Sequence, residues 1–467
     1  MKLAVIGLDS AVPQLVFERF RQDLPNLSRL MDEGSWGLLE SIHPPITVPA
    51  WTCMMSGYDP GQLGMYGFRN RKDHTYGGYS IANASAVPVD RVWDRLSKAG
   101  KQVILLGVPQ TYPIRPVNGW VVSDFLTPST QSAYTFPADL KTEVERVSGG
   151  YVLDVEDFRT KDKAALLQRT YAKTRKHFAV ARHMLTTKPW DFFMLVEMGV
   201  DRVHHGFWSY MDPMHPKYEA GTPFEGAIRD YYRYVDQEIG EVLGLLPPGT
   251  GVLVVSDHGA KRLEGGICFN EWLIREGYLT VRAYPEKVTP IDKVEIDWSR
   301  TTAWGDGGYY GRLFLNVKGR EPQGTVEPDD YEKVRTELIE KIRAITDPQG
   351  RNIGSKAYRP EELYREVNGV PPDLIVYFGD LHWRSVGSLG LRSVHTFEND
   401  TGPDEANHDW HGIFILNEAA CRQGAFPKGR QEGLRLCDVG PTLLALCGLE
   451  PDARGVGKPM VPGRGGP

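Results

Sequence analysis

Apolar residues along the chain fall into short unbroken runs, and several of these runs stop on a residue able to do chemistry. Val252-Leu253-Val254-Val255 ends at Ser256-Asp257-His258-Gly259, Leu3-Ala4-Val5-Ile6-Gly7-Leu8 ends at Asp9, and Phe192-Phe193-Met194-Leu195-Val196 ends at Glu197. Runs of this length bounded by polar residues predict strands buried on both faces. Helical periodicity lies between them, over residues 13–21, 25–33, 90–98, 160–185, 224–246 and 438–447, with a further strand at 102–106. Alternating strands and helices predict an α/β fold: a central, mostly parallel sheet flanked by helices, with ligands gathered beyond the carboxyl ends of the strands.

The pattern changes after Gly259. Residues 278–317 read as short alternating strands with a turn at Asp306-Gly307-Gly308, 329–344 as a strongly periodic helix, and 373–378 as another strand. A chain of 467 residues exceeds what one core usually holds. The expected organisation is therefore a catalytic core of residues 1–261 and 401–467, interrupted by an inserted cap subdomain at 262–400. Residues 112–148 show no clear period, and the basic residues of the 160–185 helix read as a solvated face.

Composition narrows the function classes. With 41% hydrophobic and 24% charged residues the chain is an ordinary globular protein. A net charge of -6 with both signs interspersed offers no basic patch for a nucleic-acid polymer and no polybasic membrane anchor. Five cysteines without CxxC spacing argue against a disulfide framework. The apolar start is too short for a secretory segment, and no stretch approaches the ~20 apolar residues of a membrane helix. These features predict a cytoplasmic protein.

The polar residues at strand ends are the candidate chemistry. Asp257-His258 offers an oxygen and a nitrogen ligand, or else a solvated turn; Asp9 ends a second strand in the same manner. Asp201 and His205 are four apart, so a helical turn would bring both to one side, while His204 would point elsewhere into a structural hydrogen bond. Thr47-Val48-Pro49 has helix-start grammar, which makes Thr47 either a plain cap or a hydroxyl held where a phosphate oxygen is favoured. His408 precedes the run 413–416 in a polar loop. Three Asp and three His suit two divalent ions, most naturally zinc, with manganese as the alternative. In such centres one ion acidifies the nucleophile and the other stabilises the attacking or leaving oxygen.

Taken in order, Val5-Ile6-Gly7-Leu8-Asp9, Thr47-Val48-Pro49-Ala50-Trp51-Thr52 with Ser56-Gly57, Asp201 with His205, Tyr234 to Gly240, Ser256-Asp257-His258-Gly259, and His408 ahead of Gly412-Ile413-Phe414-Ile415 carry a family resemblance. The chain resembles the alkaline phosphatase superfamily over nearly its whole length. It is most similar there to the type I phosphodiesterase/nucleotide pyrophosphatase and cofactor-independent phosphoglycerate mutase branches, and to a predicted phosphohydrolase/phosphomutase group. The resemblance implies that Asp201, His205 and His408 hold one metal and Asp9, Asp257 and His258 the second. Thr47 would bridge towards both as the nucleophile of a phosphothreonine intermediate. It further implies a small-molecule phosphoester substrate, with Asn70 as the candidate for the asparagine that binds a phosphate oxygen in nucleotide pyrophosphatases. Arg69 and Arg71 are candidates for the arginine that monoesterases add, or else surface charges of their loop. Tyr310, with Tyr309 and Trp304, belongs to the insertion expected to set specificity. A mutase or phosphomonoesterase, or an inactive binding protein of the same fold, are the alternatives. Sulfatase chemistry is disfavoured, because that branch needs a modifiable Cys or Ser where Thr47 stands.

Overall fold

The computed structural model of the chain describes residues 1–460. Nine strands form one sheet, in the spatial order Gly429–Arg435, Ser35–Glu40, His411–Leu416, Gly251–Val255, Leu3–Leu8, Phe192–Glu197, Val103–Leu106, Gly119–Val122 and Thr135–Phe136. Only His411–Leu416 and Thr135–Phe136 run against the rest, so the sheet is mostly parallel, as the alternation of elements predicts. The three strands that end in candidate ligands are immediate neighbours, with Leu3–Leu8 between Gly251–Val255 and Phe192–Glu197.

Successive residues of these strands feed opposite cores, since side chains alternate across a strand. Ala4, Ile6 and Leu8 pack with the helices Pro25–Glu33, Lys163–Thr187, Gly199–Met211 and Ala227–Leu245. Leu3 and Val5 pack on the other face with Thr47–Ser56, Val92–Lys98 and Val439–Leu446. Continuous apolar runs follow from this: neither face of the strand meets water.

Several expectations need correction. The first helical segment is a short π-helix, Gln14–Arg19, followed by a 3-10 turn. The aperiodic stretch after residue 112 contains the strands Gly119–Val122 and Thr135–Phe136 and the helix Leu140–Ser148. The long helix Lys163–Thr187 is not uniformly solvated on its basic side: Lys163 and Lys173 turn inward onto the buried carboxylates of Glu405 and Glu197.

Residues 267–389 contribute a hydrophobic core of their own, centred on Phe269, Trp272, Leu313, Phe314 and Phe378. Its main sheet is antiparallel, ordered Ala303–Asp306, Gly311–Leu315, Leu374–Tyr377 and Lys356–Tyr358. The chain leaves the large sheet along Gly259–Arg262 and returns along Ala406–Asp409, and these two segments pair antiparallel with Ala260 opposite His408. His408 therefore sits on a strand, not in the expected loop, because pairing with the outgoing segment satisfies its backbone. Among the described residues no helix is long and apolar enough to cross a membrane.

Candidate active site

Three adjacent strand ends bring Asp9, Asp257 and the Asp201 helix to one edge of the sheet. The helix Gly199–Met211 begins directly after Phe192–Glu197, and Glu197 fixes that start by accepting the Gly199 N–H at 2.7 Å. One helical turn then places His205 Nε2 3.1 Å from Asp201 Oδ1, which is the i, i+4 geometry of the sequence pattern. The neighbouring imidazole of His204 points away, 3.2 Å from the Tyr232 hydroxyl and 3.4 Å from Ser10 Oγ, as expected of a structural histidine. His408 enters from the paired ribbon, its Nε2 3.8 Å from Asp201 Oδ1 and its ring stacked on that of His258 with centroids 3.7 Å apart.

Each of the six acid and imidazole residues has one polar atom tied to protein outside the cluster and the other turned towards its neighbours in it. Asp9 Oδ2 accepts from Trp51 Nε1 at 2.7 Å, Asp257 Oδ1 from the Ser10 N–H at 3.1 Å, and Asp201 Oδ2 from Arg202 Nη1. The opposite oxygens, Asp9 Oδ1, Asp257 Oδ2 and Asp201 Oδ1, are buried without a hydrogen-bond partner. The imidazoles follow the same rule. His258 Nδ1 lies 2.9 Å from Gly259 O, His408 Nδ1 2.7 Å from Pro45 O, and His205 Nδ1 2.7 Å from Asp404 Oδ1. In the neutral rings of His258 and His408 those acceptors take the Nδ1 proton and leave Nε2 as a lone pair, the arrangement in which histidine binds a metal, and a neutral His205 ring would do the same through Asp404. Asp201, His205 and His408 present atoms within 4.8 Å of one another, and so do Asp9, Asp201 and His258. Asp257 Oδ2 is 3.2 Å from His258 Nε2. Buried polar atoms without partners are costly, and carboxylate oxygens of this kind converging with free imidazole nitrogens fit divalent cations.

The electrostatics agree. Burial, reinforced by the nearby Asp201 carboxylate, pushes Asp9 up to about 8, and burial with repulsion from Asp9 pushes Asp257 well above the carboxylate range. Burial also acts to raise Asp201, but the His205 imidazole outweighs it and holds Asp201 well below its ordinary value. Burial lowers His258 to about 4 and carries His408 well below 6.5. Without a cation, burial thus holds Asp9, Asp257, His258 and His408 towards their neutral forms, while Asp201 faces His205, which burial acts to lower but Asp404 and Asp201 hold well above 6.5. A divalent cation would instead favour ionised carboxylates and neutral imidazoles here.

Thr47 is the first residue of the helix Thr47–Ser56, with Ile46 at the cap position and no side-chain cap bond. Its Oγ1 is instead 3.2 Å from His258 Nε2. A hydroxyl here meets the unsatisfied N–H groups and the positive end of the helix. The helix is seated by Trp51, fully buried, which reaches Asp9 from the same side of the sheet.

The remaining expected residues have other surroundings. Asn70 closes its own turn, its Oδ1 accepting the Tyr66 N–H at 2.7 Å and its Nδ2 donating to Gly67 O at 3.1 Å. Arg69 is exposed, and its carbonyl accepts from Arg312. Arg71 is buried against Trp304 and Phe314 and pairs with Glu321. Tyr310 donates to Tyr66 O within an aromatic cluster with Tyr364 and Tyr377. The ring that covers the imidazoles is its neighbour Tyr309, stacked 4.1 Å from His408 and 5.0 Å from His205. Sequence reasoning missed Asp404, whose carboxylate receives His205 together with Arg159 and Arg384; its only signal is an acid four positions before His408. Burial acts to raise Asp404, but His205 and the two arginines hold it well below the carboxylate range. Trp51 and Ser10 were missed as well, and adjacency to Thr47 and Asp9 was their signal.

Comparisons with known proteins bear on this site. The family model described as type I phosphodiesterase / nucleotide pyrophosphatase matches residues 3–412. No curated protein matches. Human ectonucleotide pyrophosphatase / phosphodiesterase 5 is similar in structure at a TM-score of 0.56 and 12% identity, over 97% of this chain and 96% of that one. The murine counterpart, an inactive variant in complex with AMP, gives 0.54 and 14% over the same shares. Phosphonoacetate hydrolase from Sinorhizobium meliloti, in complex with phosphonoformate, gives 0.60 and 15% over 96% of this chain and 95% of that one. At such identities the structures establish the fold, and the family match over most of the length establishes membership: the chain belongs to the type I phosphodiesterase / nucleotide pyrophosphatase family.

Proposed function

We propose that the chain hydrolyses phosphoesters of small molecules with the help of two divalent ions, most naturally zinc with manganese as the alternative, through a phosphothreonine at Thr47. One observation carries the proposal: the Thr47 hydroxyl lies 3.2 Å from His258 Nε2, on a helix start, among three carboxylates that each keep one buried oxygen without a hydrogen-bond partner. Asp201, His205 and His408 would hold one ion and Asp9, Asp257 and His258 the other, with Asp201 Oδ1 near both groups. Bound ions would acidify the threonine hydroxyl and carry negative charge on the phosphoryl oxygens.

The chain's own residues define the rest of the reaction. Thr47, having lost its proton, attacks phosphorus; a P–O bond forms at Oγ1 and the bond to the leaving oxygen breaks, that oxygen taking the electron pair. Water then cleaves the phosphothreonine, restoring Thr47 and releasing the phosphoryl product, and two inversions give retention at phosphorus. Residues 262–400 act as a cap subdomain, and Tyr309 from the cap lies over His205 and His408. The AMP and phosphonoformate held by the two structural neighbours support a substrate that is a small phosphate- or phosphonate-bearing molecule. A reducing, cytoplasmic setting accords with five free cysteines.

The test combines metal content with turnover. Purified protein should carry close to two divalent ions per chain, and Thr47→Ala should lose turnover while keeping them. Full activity in Thr47→Ala would remove Thr47 as nucleophile. A comparison of kcat/KM on aryl phosphodiester, phosphomonoester, phosphonate monoester and sulfate ester substrates then assigns the preferred ester. A second reading, phosphoryl transfer within one substrate, is favoured by a specific feature: Thr47 is only 3% exposed beneath the cap, which limits water. Release of free phosphate or of a hydrolysed monoester separates hydrolysis from a mutase.

A further inference from the structure

Asp404 is a fully buried carboxylate with three charged or chargeable partners and no place in the ligand set itself. Its Oδ1 lies 2.7 Å from His205 Nδ1. Its Oδ2 accepts from Arg384 Nη1 at 2.7 Å and from Arg159 Nε at 3.1 Å. Arg384 comes from the cap strand Trp383–Val386, and its guanidinium lies over the Tyr309 ring at 4.8 Å. Arg159 closes the circuit by donating to the Tyr309 hydroxyl at 2.8 Å, and Tyr309 is the ring that covers His205 and His408.

The other two imidazoles are oriented by backbone carbonyls, of Gly259 and Pro45. His205 alone has a carboxylate behind it. A carboxylate that holds an imidazole by Nδ1 fixes its tautomer and rotation and raises the basicity of Nε2. Because the second oxygen of Asp404 is shared between Arg159 of the core and Arg384 of the cap, part of the hold on His205 depends on the cap being seated. We infer that Asp404 is a positioning residue which orients His205 as a ligand, and that through Arg384 it couples the cap to metal affinity at that one site. This rests on the two-ion reading above.

The test uses the full chain and Zn2+ in competition with a chromophoric chelator, which reads affinity and stoichiometry without reference to turnover. Wild-type protein should bind two ions; failure to do so refutes the two-ion reading itself. With that established, Asp404→Asn should weaken one of the two ions by about 10- to 100-fold and leave the other unchanged, and Asp404→Glu should recover part of the loss. Cobalt-loaded Asp404→Asn should show an altered visible spectrum for the weakened ion only. Asp404→Asn leaves the buried Arg384 and the half-buried Arg159 short of charge and can fail to fold, so Arg384→Met gives an independent arm. It should weaken the same ion severalfold, since it keeps the buried stem and deletes the donor. Wild-type affinity for both ions in folded Asp404→Asn or in Arg384→Met overturns the inference, as does equal weakening of both ions.

Discussion

The seating of Trp51 on the sheet makes Gly7→Ala a sharp test of how the fold sets the site. Gly7 lies two residues before Asp9, near the end of the strand Leu3–Leu8. A Cβ there would stand 2.5 Å from Trp51 Cη2 and 2.8 Å from Val196 Cγ2. Ordinary contact begins near 3.4 Å, so the indole must retreat by about 1 Å in a core packed as tightly as a crystal. Overpacking of this kind costs roughly 1–3 kcal/mol. The displacement has a chemical consequence as well, because Trp51 Nε1 donates to Asp9 Oδ2 at 2.7 Å. A shift of about 1 Å takes that contact past hydrogen-bond reach, and misplacement on this scale at a reacting centre costs on the order of 100-fold in rate. Urea unfolding should therefore show the stability loss, and kcat/KM on the preferred ester should fall by one to two orders of magnitude, as such misplacement does. Trp51→Phe deletes the N–H but keeps a ring in the slot, and it should lose activity with a smaller loss of stability. If the added methyl acts through the indole, the double variant loses less than the product of the two rate factors. Independent, multiplicative losses, or a Gly7→Ala protein as stable as wild type, refute the reasoning.

Other parts of the structure give further tests. Lys173→Met strands the buried Glu197 carboxylate, whose partner at 3.1 Å on both oxygens is the ammonium of Lys173. Stability should drop by roughly 3–5 kcal/mol in urea unfolding, towards the lower figure because Gly199, Thr174 and Tyr231 still donate to Glu197. His43, set among Tyr358, Tyr377 and Trp410, is lowered to about 4 by burial and then by Lys356. Its unfolded state binds the proton more readily, so its contribution is present above pH 6.5 and is lost as pH falls from there through 4. The difference in melting temperature between wild type and His43→Phe should shrink across that window, and a flat difference counts against the assignment. Asn70→Ala should cost about 1 kcal/mol through its turn and change kcat/KM little. A fall in turnover of roughly 100-fold would instead place Asn70 on the phosphoryl group, as an oxyanion donor.

Much of the site was legible because its residues announce themselves locally. Asp9 and Asp257 terminate apolar runs, and a run buried on both faces is visible without knowing what covers it. Asp201 and His205 carry their relation in a spacing of one helical turn. What was not legible depends on partners distant in the chain. Lys163 and Lys173 occupy polar positions of a long helix, and only the fold reveals that Glu405 and Glu197 lie beneath them. Tyr309 and Tyr310 are adjacent and chemically equal, yet one covers the imidazoles and the other enters the aromatic cluster. Their division follows from how the loop enters the cap strand Gly311–Leu315, which no local pattern records. The short strand Gly119–Val122 was hidden for a related reason: half of it is only partly buried, so its pattern lacks the contrast of a core strand.

The paired ribbon Gly259–Arg262 and Ala406–Asp409 ties these levels together. It brackets the chain between residues 262 and 406, and it also bears His408 opposite Ala260. Gly259 sits where a Cβ would fall 2.4 Å from His411 O, so the ribbon crosses the neighbouring backbone too closely for a side chain at that point. Because His408 belongs to this ribbon, with its Nε2 3.8 Å from Asp201 Oδ1 and its ring stacked on His258, any displacement of the ribbon would move His408 relative to both.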